Sequence, residues 1–345
     1  LEQLKAGFKN LFSENALSYK DIKGYATPRR LAIIVEGLAS SQEDITKDVK
    51  GPILKAAIDE NGKYTMAALG FAKKNGVSEN ELFERDGYIW ANVHKKGKST
   101  KEILNENIES IVLKLQGAHF MRWKNYEERF TRPIENVLCI FGDETLDFTI
   151  IDKKAGNKTK GHRFSSIKEV EIKDPLEYVE TLKKANVYTD IDERKEIIVK
   201  SATKMADENG LEIRFDNLDD LLDEIVYITE YPVPVLCDFN EKYLAIPDIV
   251  STTEMSKHQR YFPLYDKKTG KLSNKFITMA NFVGTDKESF DNIKAGNQRV
   301  VSARLEDGVF FYTGEDIISR ADVMRFVEEN ERLASTWRKY RHYYK

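Results

Sequence analysis

The chain has 345 residues, and its 54 Lys and Arg residues nearly balance its 57 Asp and Glu residues, so the formal net charge is −3. At roughly 150 residues per domain, this length predicts two or three domains. The 18 Phe, 16 Tyr and 3 Trp residues exclude a disordered chain, and no run approaches the roughly 20 apolar residues of a membrane span. The charge balance also excludes a strongly basic nucleic-acid-binding protein, unless the basic residues gather on one face.

The first half of the chain alternates helical and extended patterns. Apolar residues recur at helical spacing over 1–17 and over 102–116, and a third helix is predicted from Thr65 to Gly76. Strands are predicted over 31–39 and 88–97, where β-branched and aromatic residues concentrate. The Gly-Asp-Glu turn within 136–150 predicts a hairpin.

The second half is richer in helix. Asp174-Pro175 is a helix start signal, Thr189–Asn209 predicts a long helix, and 218–231 predicts a helix stopped by Pro232 and Pro234. Strands follow in VPVLCDF and FITMANF, and the final segments are predicted to be helical. The irregular mixture predicts an α+β fold with mixed sheets and packed helices. We expect one region over 1–155, a second over 156–316, which we also consider as one continuous unit with the first, and a helical tail or the start of a following domain over 317–345.

Motifs of self-contained catalysis are not recognisable. The chain lacks a P-loop, a GxGxxG turn and a GxSxG elbow, and its five histidines form no HxH or HExxH pair. Glu254 and His258 are spaced to share a helix face, but two ligands fall short of a zinc site, so we expect an ion pair or a capping contact there. Met255-Ser256-Lys257 matches the middle of a class I synthetase lysine loop without its upstream partner. We therefore predict no catalytic residue and no metal ligand in this chain.

Charge is segregated along the sequence. Residues 153–168 carry five Lys and one Arg with no acid, whereas 212–224 carry six acids and one Arg. Such segregation permits a nearly neutral protein to present a basic face to phosphates, although a solvated loop beside a solvated helix is an equal alternative. Two other segments, 121–133 and 254–263, interleave basic and aromatic residues, which either stack on bases or supply core aromatics with a charged rim.

Seven blocks of the sequence, taken in order, resemble one known family. They are YATPRRLAIIVEGL (25–38), the segment 51–82, MRWKNYEERFTRPIENVLCIFGDE (121–144), AGNKTKGHRF (155–164), EYPVPVLCDFNEKYLAIP (230–247), TTEMSKHQRYFPLYD (252–266) and GNQRVVSARLEDGVFFY (296–312). Together they resemble the amino-terminal half of the β subunit of bacterial heterotetrameric glycine–tRNA ligase. The similarity fades beyond Asp316, so we expect a fragment of a longer cytoplasmic subunit.

The resemblance implies a fold and a set of partners. It implies a B3/B4-like α+β region that binds tRNA(Gly) and assembles with the α subunit in an α2β2 enzyme. ATP and Mg²⁺ are then used at the α-subunit active site, and this chain alone binds no cofactor and is inactive. Neither a membrane nor DNA is an expected partner, and we do not predict editing. A stand-alone RNA-binding module and a protein-assembly module are the alternatives.

The expected tRNA contacts are basic residues that hold phosphates without reading sequence. Our first choices are Lys153, Lys154, Lys158, Lys160 and Arg163, and our second choices are Arg29, Arg30, Lys257 and Arg260. For Arg29 and Arg30, internal ion pairs or contacts with the α subunit are equally open.

Overall fold

The computed structural model describes residues 1–59, 62–216 and 218–313 as a mixed α/β protein with several small sheets. This confirms the predicted mixture of sheets and helices, while the B3/B4 likeness stays a prediction. The chain divides into two compact units. Among the described residues, the first contains Leu1–Gly24 and Ile33–Asn157, and the second contains Tyr25–Ala32 and the residues from Lys158 to Thr313. The predicted helical tail over 317–345 lies outside the described residues.

Up to Gly156 the chain forms three helices of 10–14 residues, and its other helices and strands are shorter. In chain order they are α1 (Glu2–Glu14), β1 (Asp21–Thr27), β2 (Arg30–Glu36), β3 (Ile45–Ile53), α2 (Leu54–Ala57), α3 (Met66–Asn75), β4 (Leu82–Arg85), β5 (Tyr88–Lys95), α4 (Thr100–Leu113), β6 (Val137–Leu138), β7 (Ile140–Phe141), β8 (Glu144–Thr145), β9 (Thr149–Ile150) and β10 (Lys153–Gly156).

Two amphipathic helices and the small strands build one core of the first unit. The apolar stripe of α1 is buried against α4, which begins at a reciprocal cap between Ser99 and Glu102. A Cβ added at Gly7 would lie 2.7 Å from Ile111, so glycine lets the two helices approach closely. These helices confirm the predictions from helical spacing.

The predicted hairpin over 136–150 is only partly correct. Strands β7 and β8 pair across the turn at Gly142, which adopts a positive φ of 64°. Strand β6 instead pairs in parallel with β10, with Val137 opposite Ala155. The backbone N–H of Cys139 donates to Gly156 O at 3.0 Å, so the neighbouring segment competes for the hydrogen bonds that a longer hairpin needs.

A second core of the first unit lies under the antiparallel sheet β3-β5-β4. Helices α2 and α3 contact this sheet, and small residues such as Ala57, Ala68 and Ala91 pack between them. Helix α3 ends at Gly76, whose left-handed backbone matches the predicted stop.

The second unit is built around one four-stranded antiparallel sheet. Its elements are β11 (Lys158–Lys160), β12 (Glu169–Glu171), α5 (Tyr178–Lys184), α6 (Ile191–Glu208), β13 (Leu211–Glu212), α7 (Asp219–Ile228), β14 (Pro232–Asp238), α8 (Asp248–Thr253), a π-helical turn (Glu254–His258), β15 (Phe262–Asp266), β16 (Leu272–Asn281) and α9 (Lys287–Thr313).

The strands of this sheet follow the order β13-β15-β16-β14, and both faces are covered. Ile277 and its cluster pack beneath α6 and α7, whereas the adjacent Phe276 packs toward α9 in a separate cluster. Pro232 and Pro234, which the sequence suggested as helix stops, lie within β14. This strand tolerates them because it is at the edge of the sheet, where only one side of its backbone forms hydrogen bonds with a neighbouring strand.

Candidate functional site

The basic run predicted to contact phosphates is divided between the two units. Lys153 and Lys154 belong to β10 in the first unit, where they form ion pairs with Asp152 at 3.2 Å and Asp147 at 2.9 Å. Lys158, Lys160 and Arg163 belong to the second unit. Asp152 also accepts a hydrogen bond from Lys124, which holds the pKa of its carboxyl down at about 2.

In the second unit the basic residues lie on a β-hairpin whose opposite strand is acidic. Lys158 is opposite Glu171, and Lys160 is opposite Glu169, in the β11–β12 pair. The Lys158 Nζ–Glu169 Oε1 pair is 3.4 Å long, and the two side chains are 59% and 61% exposed. An exposed pair of this kind contributes about 0–1 kcal/mol, so an incoming phosphate can displace it at low cost.

The hairpin loop is tightly closed at its base. The N–H of Gly161 donates to Lys168 O at 3.0 Å, and Lys168 Nζ donates to Arg163 O at 3.0 Å. A Cβ at residue 161 would lie 2.1 Å from Ile167 O, so only glycine fits. An open cleft of about 320 Å³ lies here. Its lining residues are Arg29, Lys160, Gly161, His162, Arg163, Lys168 and Glu169.

A buried carboxylate, Glu230, holds the arginines next to this cleft. Its side chain is 1% exposed and accepts hydrogen bonds from Thr27 Oγ1 at 2.6 Å, from Arg29 Nε at 2.9 Å and from Arg30 Nη1. Burial alone would raise the pKa of Glu230, but the Arg30 charge and the bonds from Arg29 and Thr27 outweigh it and lower the pKa. The structure thus shows the internal ion pairs that the sequence left open for Arg29 and Arg30.

The same arginines also hold the backbone of the hairpin. Arg29 Nη2 donates to Gly161 O at 3.1 Å, and Arg30 Nη2 donates to Lys160 O. Glu230 therefore positions the hairpin through two arginines, one of which, Arg29, is 30% exposed and lines the cleft. We call Glu230 with Arg29 and Arg30 the ion-pair centre.

His162 links the cleft to the end of β16. It is 1% exposed, its Nδ1 accepts from the N–H of Phe164 at 3.2 Å, and its Nε2 lies 3.0 Å from Asn281 Oδ1. These contacts define the neutral tautomer with the proton on Nε2. Asn281 Oδ1 also accepts from the N–H groups of Glu230 and Tyr231. Burial is the main cause that lowers the pKa of His162.

Arg194, fully buried in α6, holds the other side of the ion-pair centre. Its guanidinium donates to the carbonyl oxygens of Val226 at 2.9 Å, Ala26 at 2.7 Å and Tyr188. Ala26 directly precedes Thr27, whose hydroxyl donates to Glu230, so Arg194 fixes the backbone of this segment next to the ion-pair centre. Burial lowers the pKa of Arg194.

The remaining second-choice residues, Lys257 and Arg260, are not among the residues that line this cleft. Lys257 is exposed on the π-helical turn, and Arg260 forms an ion pair of 2.8 Å with Glu224 in the acidic helix α7. Met255, Tyr261 and Phe262 are buried, so this segment supplies core apolar residues with a charged rim.

The aromatic residues of 121–133 differ in burial, since Trp123 is buried whereas Tyr126 and Phe130 are half-buried. Trp123 is 9% exposed, and Phe130 packs against Phe120 with ring centroids 5.6 Å apart.

Neither of the two free cysteines is a reactive thiol, because burial raises the pKa of Cys139 and of Cys237 to about 12.

Sequence reasoning missed Glu230, His162, Asn281 and Arg194. Glu230 carried one signal, since it is the only charged residue between Glu224 and Asp238. A lone carboxylate in an apolar run predicts a buried partner of opposite charge.

Within residues 1–59, 62–216 and 218–313, we find neither a group of three metal-ligating side chains nor a helix that could cross a membrane. A basic cleft whose backbone is held by the ion-pair centre is typical of a protein module that binds an anionic partner.

The family model described as glycyl-tRNA synthetase beta subunit matches residues 1–335. Glycine–tRNA ligase beta subunit of Clostridioides difficile is 38% identical over 316 residues, covering 90% of this chain and 45% of the relative. The corresponding values for Oenococcus oeni are 38% over 331 residues, 96% and 47%, and for Lactobacillus gasseri 39% over 316 residues, 90% and 45%. The chain therefore belongs to the glycyl-tRNA synthetase beta subunit family, and it spans about half the length of these curated relatives.

Proposed function

We propose that this chain supports the attachment of glycine to tRNA(Gly) by binding the tRNA and by assembling with the catalytic α subunit of an α2β2 ligase. Membership of the family supports the ligase role. The single structural observation that carries tRNA binding is the cleft at the β11–β12 hairpin, where basic side chains line an opening about 320 Å³ in volume. The ion-pair centre holds this hairpin in one position before any ligand arrives.

The chemistry of the cleft suits phosphate rather than bases. Lys160, Arg163 and Lys168 present ammonium and guanidinium groups, and Arg29 adds a guanidinium that Glu230 already orients. A group oriented in advance loses less conformational entropy on binding. Contacts of this kind fix the position of a nucleic acid without reading its sequence. Lys153 and Lys154, which are first choices from the sequence, remain proposed contacts, as do the second choices Arg30, Lys257 and Arg260.

We assign the chemical steps to the α subunit. ATP, Mg²⁺ and glycine are proposed to react there, in the cytoplasm, and this chain alone is proposed to be inactive. A glycine-dependent ATP–pyrophosphate exchange assay tests this assignment, because activity of the isolated chain would contradict it. Co-purification with the α subunit without RNA tests assembly, which needs an interface of at least about 1,000 Å².

The tRNA contact is tested in the intact α2β2 enzyme. The double variant Lys158→Glu and Lys160→Glu should weaken tRNA binding in a filter-binding titration. It should also reduce the slope of log affinity against log salt by roughly one for each phosphate that the altered side chains no longer neutralise. Lys204→Glu with Lys267→Glu is the matched control, since both lysines are exposed, form ion pairs and give the same change in charge. Equal weakening in both variants, or unchanged affinity in the first, would refute the assignment.

A further inference from the structure

The antiparallel sheet β3-β5-β4 has one face that helices α2 and α3 leave uncovered. On the covered face, Ile89 and Ala91 of β5 are buried together with Leu82 of β4. Because side chains alternate along a strand, Tyr88 and Trp90 lie on the opposite face. We call this opposite side the aromatic sheet face. It comprises Asp48 and Lys50 of β3, Tyr88, Trp90 and Asn92 of β5, and Phe83 and Arg85 of β4.

The register concentrates aromatic rings and cations on the central strand and its two neighbours. Trp90 is opposite Lys50 on one side and opposite Phe83 on the other, while Tyr88 is opposite Arg85. All three aromatic side chains are half-buried and belong to none of the apolar clusters of the described residues. A role in the protein core therefore does not explain them.

Each of the two rings on β5 has a cation against it. Lys50 Nζ lies 3.4 Å from the centre of the Tyr88 ring, and Arg85 Cζ lies 3.9 Å from the Trp90 ring. An exposed cation–π contact is weaker than the stacking of a nucleobase on an aromatic side chain. A base can therefore replace either cation, and the displaced lysine or arginine is then free to meet the phosphate that accompanies the base.

The polar atoms of this face hold its rings and charges in place. Trp90 Nε1 donates to Arg85 O at 2.9 Å, so the edge of the indole is already bonded. Asp48 accepts from Arg85 at 3.0 Å and from Asn92 at 3.0 Å, so its carboxylate is shared between two donors. The planar faces of the rings are what this surface offers to a ligand.

We propose that the aromatic sheet face binds an unpaired segment of RNA by stacking bases on Trp90 and Tyr88, with Lys50 and Arg85 on its phosphates. Stacking platforms on the open side of a small sheet are suited to single-stranded nucleic acid, since every base has a π-face and the strand leaves bases accessible. This surface belongs to the first unit and does not depend on the phosphate contacts proposed for residues 158–168.

Tryptophan emission gives a direct test on the full chain. The chain has three Trp residues, so Trp123→Phe with Trp337→Phe leaves Trp90 as the only emitter. A single-stranded RNA of about eight nucleotides, within the usual range of site sizes, should quench this emission as it binds. The same sequence as a duplex should not. Absence of quenching by the single strand would overturn the proposal.

A matched pair of variants separates stacking from folding. Trp90→Leu should weaken binding of the labelled oligonucleotide, followed by anisotropy, by roughly 5-fold or more, while Trp90→Phe keeps a ring and most of the affinity. If Trp90→Leu lowers the melting temperature, Tyr88→Leu against Tyr88→Phe provides the same comparison. Equal affinity of both Leu variants and the unaltered chain would refute the inference. Loss of α-subunit binding with unchanged RNA affinity would assign the face to a protein partner and equally refute it.

Discussion

Arg30 donates a hydrogen bond to the carboxylate of Glu230, 200 positions further along the chain. The carboxylate is buried, and the second amino group of the arginine donates to the backbone carbonyl of Lys160. The basic hairpin therefore depends on a pair of charges that lies beneath it and contacts little solvent. Substitutions and changes of pH can measure how firmly these charges hold it.

Replacing the buried carboxylate should be costly. Glu230→Gln leaves Arg29 and Arg30 beside a neutral amide, and removing one partner of a buried ion pair typically lowers the free energy of unfolding by about 3–5 kcal/mol. Urea denaturation measures this change. Glu169→Gln, which removes the exposed partner of Lys158, is the control and should change stability by less than about 1 kcal/mol. Equal effects would show that the centre is not a structural support.

Acid should remove the stabilisation that the ionised carboxylate of Glu230 contributes. Because the pKa of Glu230 is lower in the folded state than in the unfolded state, its stabilisation is complete above about pH 4.3 and is lost as the pH falls through the folded pKa. Stability measured between pH 6 and pH 3 should therefore fall more steeply for the unaltered chain than for Glu230→Gln. Parallel curves would contradict the lowered pKa.

His162 predicts a second pH dependence, at milder acidity. Burial lowers its pKa, so the unfolded chain binds the proton more readily and stability is complete only above about pH 6.5. Protonation of Nδ1 also breaks its bond with the N–H of Phe164. Thermal melting from pH 7.5 to pH 5 should show a decline that His162→Gln lacks. If the variant keeps the decline, another group causes it.

Even alanine, the smallest side chain that could replace Gly161, should destabilise the chain. In Gly161→Ala the new methyl group would meet Ile167 O, and the loop must shift, which typically costs about 1–3 kcal/mol. Gly156→Ala is the matched control, because nothing lies within 4 Å of a Cβ at that position. Melting temperatures of the two variants decide between them, and a stable Gly161→Ala would mean that the loop closes differently.

Arg194 should not tolerate lysine. Arg194→Lys keeps the charge but cannot reach the carbonyl oxygens of Val226, Ala26 and Tyr188 together, and each buried acceptor left unpaired costs about 1–3 kcal/mol. Its exposed neighbour provides the comparison, since Lys195→Met removes only a surface pair with Asp223. Equilibrium unfolding should show the larger destabilisation for Arg194→Lys, and the reverse order would contradict this role.

Elements with a local cause could be predicted from the sequence. The apolar stripes of α1 and α4 and the helix stop at Gly76 all act within a few residues, and the structure confirms them. The hairpin over 136–150 was predicted too long, because β10, which follows it, takes one of its strands. No local pattern records that competition.

In the candidate site too, some residues could be predicted from the sequence, whereas their contacts could not. The basic residues 158–168 could be chosen from charge alone, but the acidic strand β12 that faces them depends on the hairpin register. The aromatic sheet face could not be predicted, because its members come from three strands over 48–92, and their shared side follows from pairing rather than from spacing.

By itself, the sequence determined the family, the mixed α/β class and most helices, since seven ordered blocks and local periodicity are properties of neighbouring residues. Only the tertiary structure decided that Tyr25–Ala32 joins the second unit and that Glu230 holds Arg29 and Arg30. The physical reason is that a buried charge is stable only beside its partner, and the partner is chosen by folding across 200 residues rather than by position along the chain.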